Sequence, residues 1–583
     1  MTSTETRRAS HRARSSAGLQ PHHMVIASLS LLGTIPAVWS ASHVAARLEG
    51  VAPPGALGFE AVVNAVVNAG DPMGAIGSTG SPVVFWSVVG VEVVAAMVIT
   101  AFGWKRWQER QSGAGHAGRS DLEPMGASAL VDRGSVLRPA AENPKATDLG
   151  WELGSVKGRR GGVWASVEDT LLVVAPPRTG KTAGFVVPGV WSAPGPVVVT
   201  GTRPEVVEKT APVRSTFGTV FVCDPQGMCP DYPGFQWAPA RGCAVERVAM
   251  ERAGSLVGAG VDHTNTENGD FWSDMTKSVV RSYLLASARA NLPISRVIRW
   301  AGAPTDPEPV TLLQQHGQHE WARELAEQAK ADPKQRGSVW AGVVRTFDCL
   351  ADPELRTTFD CLPSEGFQPA DFLDGRNTLG IVGSASIQET LAPLVAALVE
   401  DVTERARERA AHCPDGRCEP PLSVVLDECA NIAPLPKLPT LMSDGGGSGI
   451  STMMVLQSIG QGRKRWGKDA MDGLWEAARI KVVLGGGGNA EDLKRISDLA
   501  GEVDEEVHSE THEAATWFSQ SHARGAQAHV TVRKVPIWPV ADLRQLENGT
   551  ALVLSGAARI PTIRWQGWWD RPEADLIESA SAA

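Results

Sequence analysis

The sequence predicts an α/β chain: a parallel sheet between layers of helix, an all-helical domain inserted into that core, and an N-terminal two-helix transmembrane hairpin. Three observations carry this. From Thr170 the run TLLVVAPP passes through RTGKT into TAGFVVPGVW, which reads as a buried strand, a tight loop and a helix start. A second apolar strand, SVVL from Ser423, ends in the adjacent acids Asp427 and Glu428, and Asp427 lies 246 positions beyond Lys181. Two long runs with almost no charge lie before residue 104.

Chain length and composition set the frame. A chain of 583 residues with 43% apolar content predicts two to four domains with a core that needs no metal or disulfide. The net charge of -10 excludes a uniformly basic nucleic-acid coat but leaves room for a local basic channel in an acidic shell. Eight irregularly spaced cysteines exclude a zinc ribbon and a secreted disulfide framework. His412, Cys413 and Cys418 in HCPDGRCEPP read either as a metal or redox clip or as a polar loop with free thiols.

In chain order, 24–46 contains no Asp, Glu, Lys or Arg and is long enough to cross a hydrocarbon layer of about 30 Å. The run 83–103 holds a single acid, Glu92. Arg7, Arg8, Arg12 and Arg14 precede the first run, and Lys105, Arg106 and Arg110 follow the second; such basic flanks belong on the cytoplasmic side. Residues 1–107 therefore read as a membrane anchor of two spans, multi-pass in the cell inner (cytoplasmic) membrane, with the bulk of the chain in the cytoplasm. A cleaved signal sequence is the rival reading of the first run. Glu92 reads as a partner-facing acid or as a charge rescued by oligomer packing. Residues 108–150, rich in Gly, Ser, Ala and charge, read as a linker, and 570–583 as a short acidic tail that frays.

The stretch APPRTGKT, 175–182, follows the phosphate-loop pattern G-x-x-x-x-G-K-[ST] except that Ala175 stands at the first glycine. A methyl group there is tolerable where φ is negative, whereas Gly180 and Lys181 are harder to replace. Pro176, Pro177, Arg178, Thr179, Gly180, Lys181 and Thr182 form the candidate nucleotide cradle, because loop amides and the helix N-terminus converge on phosphates. Lys181 is the phosphate-facing cation and Thr182 a magnesium ligand. Asp427 takes the metal role beside Thr182, and Glu428 polarises the water that attacks the γ-phosphate. Downstream, GISTMMVLQSIGQ reads as a strand ending in Gln457, a candidate γ-phosphate sensor or a helix cap. ATP and Mg2+ are the implied cofactors, and Lys181, Glu428 and Gln457 the candidate catalytic groups.

The separation of the two motifs exceeds what a compact RecA-type core places there, so an inserted domain is expected. Residues 236–370 hold helical stretches such as FWSDMTKSVVRSYLLASARA and HEWARELAEQAK and few strand-like runs. The nucleotide-binding domain then comprises 151–235, with GPVVVTGTR and TVFVCDP, and 371–569, which resumes at NTLGIVGS and a helix from Gln388 to Ala411.

Taken together, the two spans, APPRTGKT, VPGVWSAPGPVVVTGTRPE, FVCDPQG, the helical insert, LDECANIAPLPKLP and VLQSIGQ resemble the coupling proteins of conjugative type IV secretion, the TraG/TraD family within the FtsK/HerA superfamily. The likeness spans nearly the whole chain. It implies a homo-hexameric ring at the membrane, ATP held between subunits, and transfer of DNA, as a single strand with its attached relaxase, to the other type IV secretion components. An FtsK-like double-stranded DNA translocase and a non-hydrolysing membrane receptor for secreted protein cargo are the alternatives. One departure concerns the segment before the sensor strand, where family members often carry a basic residue. Here it reads SDGGGSGI at 443–450, so no trans-acting arginine can be placed there; Arg463, Lys464 and Arg465 are a substitute source of positive charge or a solvated helix face. The glycines read as a flexible loop approaching a strand or as a turn. The aromatic stretch RWQGWWD from Arg564 reads as a final strand packed on the sheet.

Overall fold

The computed structural model describes residues 39–52, 54, 63–65, 67–112, 117–157, 161–260, 269–510, 528–556 and 558–582. They fall into two compact units, Met1–Ala114 and Gly115–Ala583.

In the first unit, Pro82–Ser112 is one helix. Its segment Pro82–Thr100 is the one helix among the described residues that is long and apolar enough to cross a membrane. It outruns the expected 83–103 because WKRWQERQS contains no breaker and is rich in straight-chain helix formers. Of the other expected span, 24–38 lies outside the described residues, and 39–49 is helical. Ala41, Ala45, Ala46, Met73 and Phe85 form a small core of this unit.

The second unit is built on an eleven-stranded sheet. Its parallel block comprises β3 (Leu171–Val174), β4 (Val197–Gly201), β5 (Val220–Cys223), β6 (Thr378–Val382), β7 (Leu422–Leu426), β8 (Ile450–Leu456) and β9 (Ile480–Leu484). These lie in the order β9-β3-β8-β7-β4-β6-β5. Nearly every residue of these strands is buried, as their unbroken Val, Leu and Ile runs require of a sheet covered on both faces. Four antiparallel strands extend the β9 edge: β12 (Thr550–Ser555), β13 (Thr562–Arg564), β1 (Gly150–Ser155) and β2 (Gly162–Ser166). The expected sheet is thus parallel only over the seven strands from β9 to the β5 edge. The hairpin β10 (Glu502–Glu510) and β11 (Ala528–Pro536) forms a separate two-stranded sheet.

Between β5 and β6 the described chain is helical, from Glu246–Gly260 through Pro369–Phe372. Trp237, Tyr283, Trp300 and Phe359 are fully buried there, in a core continuous with one face of the sheet. Trp151, Trp191 and Trp340 are buried as well.

Two expectations at the margins are corrected. Residues 119–149 are not an open linker: they coil into short helices whose Leu130, Leu137 and Leu149 bury against Val167. Leu122 and Met125 join the core beneath the sheet. The tail does not fray, because Ala574–Ala582 is helical and Ile577 is buried among Val187, Trp191 and Val213. In both cases a few leucines or one isoleucine, dispersed among polar residues, bury enough apolar area to order the segment.

Candidate nucleotide site

The site lies at the C-terminal ends of the parallel strands, where an open α/β sheet binds ligands. The strand order explains how two distant motifs meet. β8 lies between β3, which carries the phosphate loop, and β7, which carries the paired acids. The tips of all three strands are therefore neighbours.

The loop starts as a continuation of the sheet. Ala175 donates its N–H to the carbonyl of Leu456 across 3.0 Å, is fully buried, and is not among the positive-φ residues. A methyl group is compatible with that extended backbone. Downstream, Pro177 and Arg178 are exposed, Arg178 has φ 65° and Gly180 φ 92°, and Thr179 Oγ1 donates to the Pro176 carbonyl at 2.7 Å. The helix opens with a π turn, Thr182–Val186, followed by Val187–Trp191; π turns recur at functional sites.

The structure brings Lys181, Thr182, Asp427, Glu428 and Gln457 into one cluster. Lys181 Nζ is 2.6 Å from Asp427 Oδ1 and 3.4 Å from Glu428 Oε1. Thr182 Oγ1 donates to Asp427 Oδ2 at 2.8 Å, and Gln457 Nε2 donates to Glu428 Oε1 at 3.3 Å. Lys181 is 8% exposed and Asp427 4%, so the pair is nearly out of water, where unpaired charge is costly. Glu428 sits at φ 52°, ψ 39°, the left-handed region that non-glycine residues rarely occupy. Strain of about 1–3 kcal/mol is held at such positions, typically at functional sites.

Further residues, not singled out from sequence, set this geometry. Thr200 Oγ1, from β4, donates to the Asp427 carbonyl at 3.0 Å. Gln461 Oε1 accepts from the Gln457 N–H at 3.1 Å while its Nε2 donates to Asn431 Oδ1 at 2.9 Å, tying the β8 tip to the turn after β7. Trp565 lies against the phosphate loop itself: a Cβ built on Gly180 would stand 2.3 Å from its ring, and one on Gly184 2.5 Å. Gln461 and Asn431 sit within quoted motifs, whereas nothing local in the sequence links Trp565 to a loop nearly four hundred residues earlier.

The remaining candidates resolve differently. Arg463 pairs with Asp492 at 3.0 Å, Arg465 donates to the Ala259 carbonyl, and Lys464 is exposed, so two of the three cations are internal ties. The glycine-rich segment packs as a turn: a Cβ on Gly446 would stand 2.0 Å from the Glu168 carbonyl oxygen, which accounts for glycine there. Among the described residues no His, Cys, Asp and Glu group could hold a metal as a cluster. Cys418 is a buried free thiol pushed up to about 11 by burial. Cys429, beside the acids, is fully buried and its thiol is likewise raised by burial, which leaves it inert as a nucleophile.

Strand order, loop and paired acids define the fold of a P-loop NTPase. Residues 421–548 match the family model described as the TraM recognition site of TraD and TraG. The solved structure of the bacterial conjugative coupling protein TrwBdeltaN70, unbound, is similar with a TM-score of 0.52 and 16% identity over 76% of this chain and 92% of that one. The plasmid coupling protein TrwB in complex with the non-hydrolysable GTP analogue GDPNP gives 0.53 and 16% over 74% and 92%. TrwB with the ATP analogue ADPNP gives 0.51 and 16% over 68% and 86%. No curated protein matches by sequence. The family match and the shared fold bear out the resemblance to coupling proteins of the TraG/TraD type.

Proposed function

We propose that this chain is a membrane-anchored ATPase that couples ATP hydrolysis to transfer of DNA through a conjugative type IV secretion channel. The observation that carries the reading is the convergence of Lys181, Thr182, Asp427, Glu428 and Gln457 at the tips of three adjacent strands. The similar TrwB structures hold ATP and GTP analogues, which supports a nucleotide here.

Loop amides from Pro176 to Thr182 and the helix N-terminus hold the phosphates. A triphosphate offers Lys181 anionic oxygens in competition with Asp427, so binding exchanges partners and frees a carboxylate oxygen. Thr182 Oγ1 and Asp427 Oδ2 are two hard oxygen donors 2.8 Å apart, the donor type Mg2+ selects while keeping positions for phosphate and water. When bound there, Mg2+ would supply Lewis-acid neutralisation of phosphate charge. Glu428, held in its strained backbone and hydrogen-bonded to Gln457, orients the attacking water. Gln457, directly after the strand that the phosphate loop pairs with, relays loss of the γ-phosphate to the helix Ile459–Trp466. The match over 421–548 to a TraM recognition region supports contact with a DNA-processing complex, relaxase included. The apolar helix Pro82–Thr100 supplies the membrane anchor, and a homo-hexamer would place the sites at subunit boundaries.

The test is ATP turnover by the detergent-solubilised full chain with and without single- or double-stranded DNA. DNA-stimulated turnover that Lys181→Ala abolishes supports the reading. Turnover equal in wild type and Lys181→Ala refutes it and favours a non-hydrolysing receptor.

A further inference from the structure

We propose that Trp565 is a positioning residue for the phosphate-binding loop, through which the C-terminal segment sets nucleotide affinity; this rests on the nucleotide-site reading above. The glycine pattern points to it. Gly180 has φ 92° and needs glycine for its backbone alone. Gly184 has no positive φ; it lies within the π turn Thr182–Val186, where glycine weakens a helix relative to alanine. The three heavy atoms nearest a Cβ on Gly184 all belong to the Trp565 indole, at 2.5, 2.8 and 3.0 Å, and those nearest a Cβ on Gly180 belong to the same ring. The helix start thus keeps a destabilising residue at the spot the indole occupies.

The ring is held there from its own side. The backbone N–H of Trp565 donates to the Gly549 carbonyl at 3.0 Å, directly after β13. Its ring centroid lies 6.1 Å from that of Phe185. Its Nε1 is buried without a hydrogen-bond partner, so shape, not polar satisfaction, defines the contact. Beyond it the chain packs on two helices: Lys209 of the helix Glu205–Arg214 lies 4.9 Å over the Trp568 ring, and Ile577 packs with Val187 and Trp191 of the helix after the loop. Trp565 thus packs on the loop that carries Lys181, and Trp568 and Ile577 pack on the helices that follow it. With the indole displaced, the Gly180–Lys181 peptide can rotate, and the amides and ammonium lose their common focus.

Binding of a fluorescent ATP analogue with Mg2+ to the full chain in detergent tests this, with the melting temperature measured in parallel. Trp565→Ala is expected to weaken binding about tenfold and Trp565→Phe less than about threefold, for loss of a packed aromatic contact. Gly184→Ala, which drives a methyl group into the ring, is expected to weaken binding similarly. In the double variant the methyl meets no ring, so affinity is no lower than in Trp565→Ala alone. Wild-type affinity in Gly184→Ala and Trp565→Phe, whether or not Trp565→Ala folds, overturns the proposal. So does a lowered melting temperature with unchanged affinity, or losses that add in the double variant. Lys181→Ala separates the two readings: if it binds as tightly as wild type, the nucleotide site itself is misassigned, whatever Trp565 does.

Discussion

The two ends of the same parallel strands bury charge in opposite ways. At their N-terminal ends Arg214 is fully buried and held by neutral acceptors: it donates to Thr378 Oγ1 and to the carbonyls of Ala193, Gly195 and Arg376 at 2.8–2.9 Å. Burial, and then the neighbouring Arg376, lowers its pKa to about 9, so it stays charged at neutral pH. Nearby, Glu168 takes both Arg133 and Arg417, and Glu419 takes Arg138. At the C-terminal ends Lys181 shares two adjacent acids, one of them on strained backbone. One end is saturated by fixed carbonyls and can only be broken; the other is held by side chains that can exchange partners. Buried charge marks a functional site when its partners are replaceable.

Substitutions at the two ends should therefore separate activity from stability. The largest effect is expected at the upper end: Lys181→Ala lowers ATP turnover at least about 100-fold, the scale of losing one preorganised transition-state contact, while far-ultraviolet circular dichroism keeps the wild-type spectrum. At the lower end Arg214→Ala orphans a hydroxyl and several carbonyls and costs about 3–5 kcal/mol, seen as a lower guanidinium midpoint. Turnover per folded molecule is unchanged. A smaller effect tests the loop: Ala175→Gly costs up to about 1 kcal/mol through backbone entropy and leaves the KM for ATP as it was, because the extended backbone at 175 does not need glycine. A lowered KM would show that the methyl group hinders the cradle.

The smallest effect concerns Glu400, buried in the helix Gln388–Ala410, where burial raises its carboxyl above the usual glutamate range despite bonds from Ser255 and the Lys437 N–H. A raised folded-state pKa means that its contribution is fully present below the unfolded value and lost as pH rises through the folded value. Wild-type stability relative to Glu400→Gln should therefore decline from about pH 4.5 upward. A flat difference across that range would place the charge in water.

How much of this was legible in the sequence follows from where the information lies. The phosphate loop, the paired acids and Gln457 are local patterns on strand ends, and β-branched runs announce the parallel block. The antiparallel edge was not legible, because β1 and β2 are short and glycine-bearing, GWELGS and GVWAS, and gain their place only through the pairing of β1 with the distant β13. The order of 119–149 and of the tail rests on single leucines and an isoleucine whose partners are distant in sequence. Trp565 was legible as a packed aromatic, but its neighbour became visible only when Gly180 and Gly184 were seen beneath the ring. The glycines of 445–449 admit two readings in sequence, and the Glu168 carbonyl that decides between them lies against Gly446 from a distant segment.

The most direct test of the account is single-turnover release of phosphate from Mg-ATP by the full chain carrying Glu428→Gln. Nucleotide affinity should remain within about twofold of wild type while phosphate release slows at least about 100-fold, because the amide keeps the shape but cannot polarise water. Release at the wild-type rate would contradict the assignment of the Lys181, Asp427 and Glu428 cluster as a hydrolytic centre.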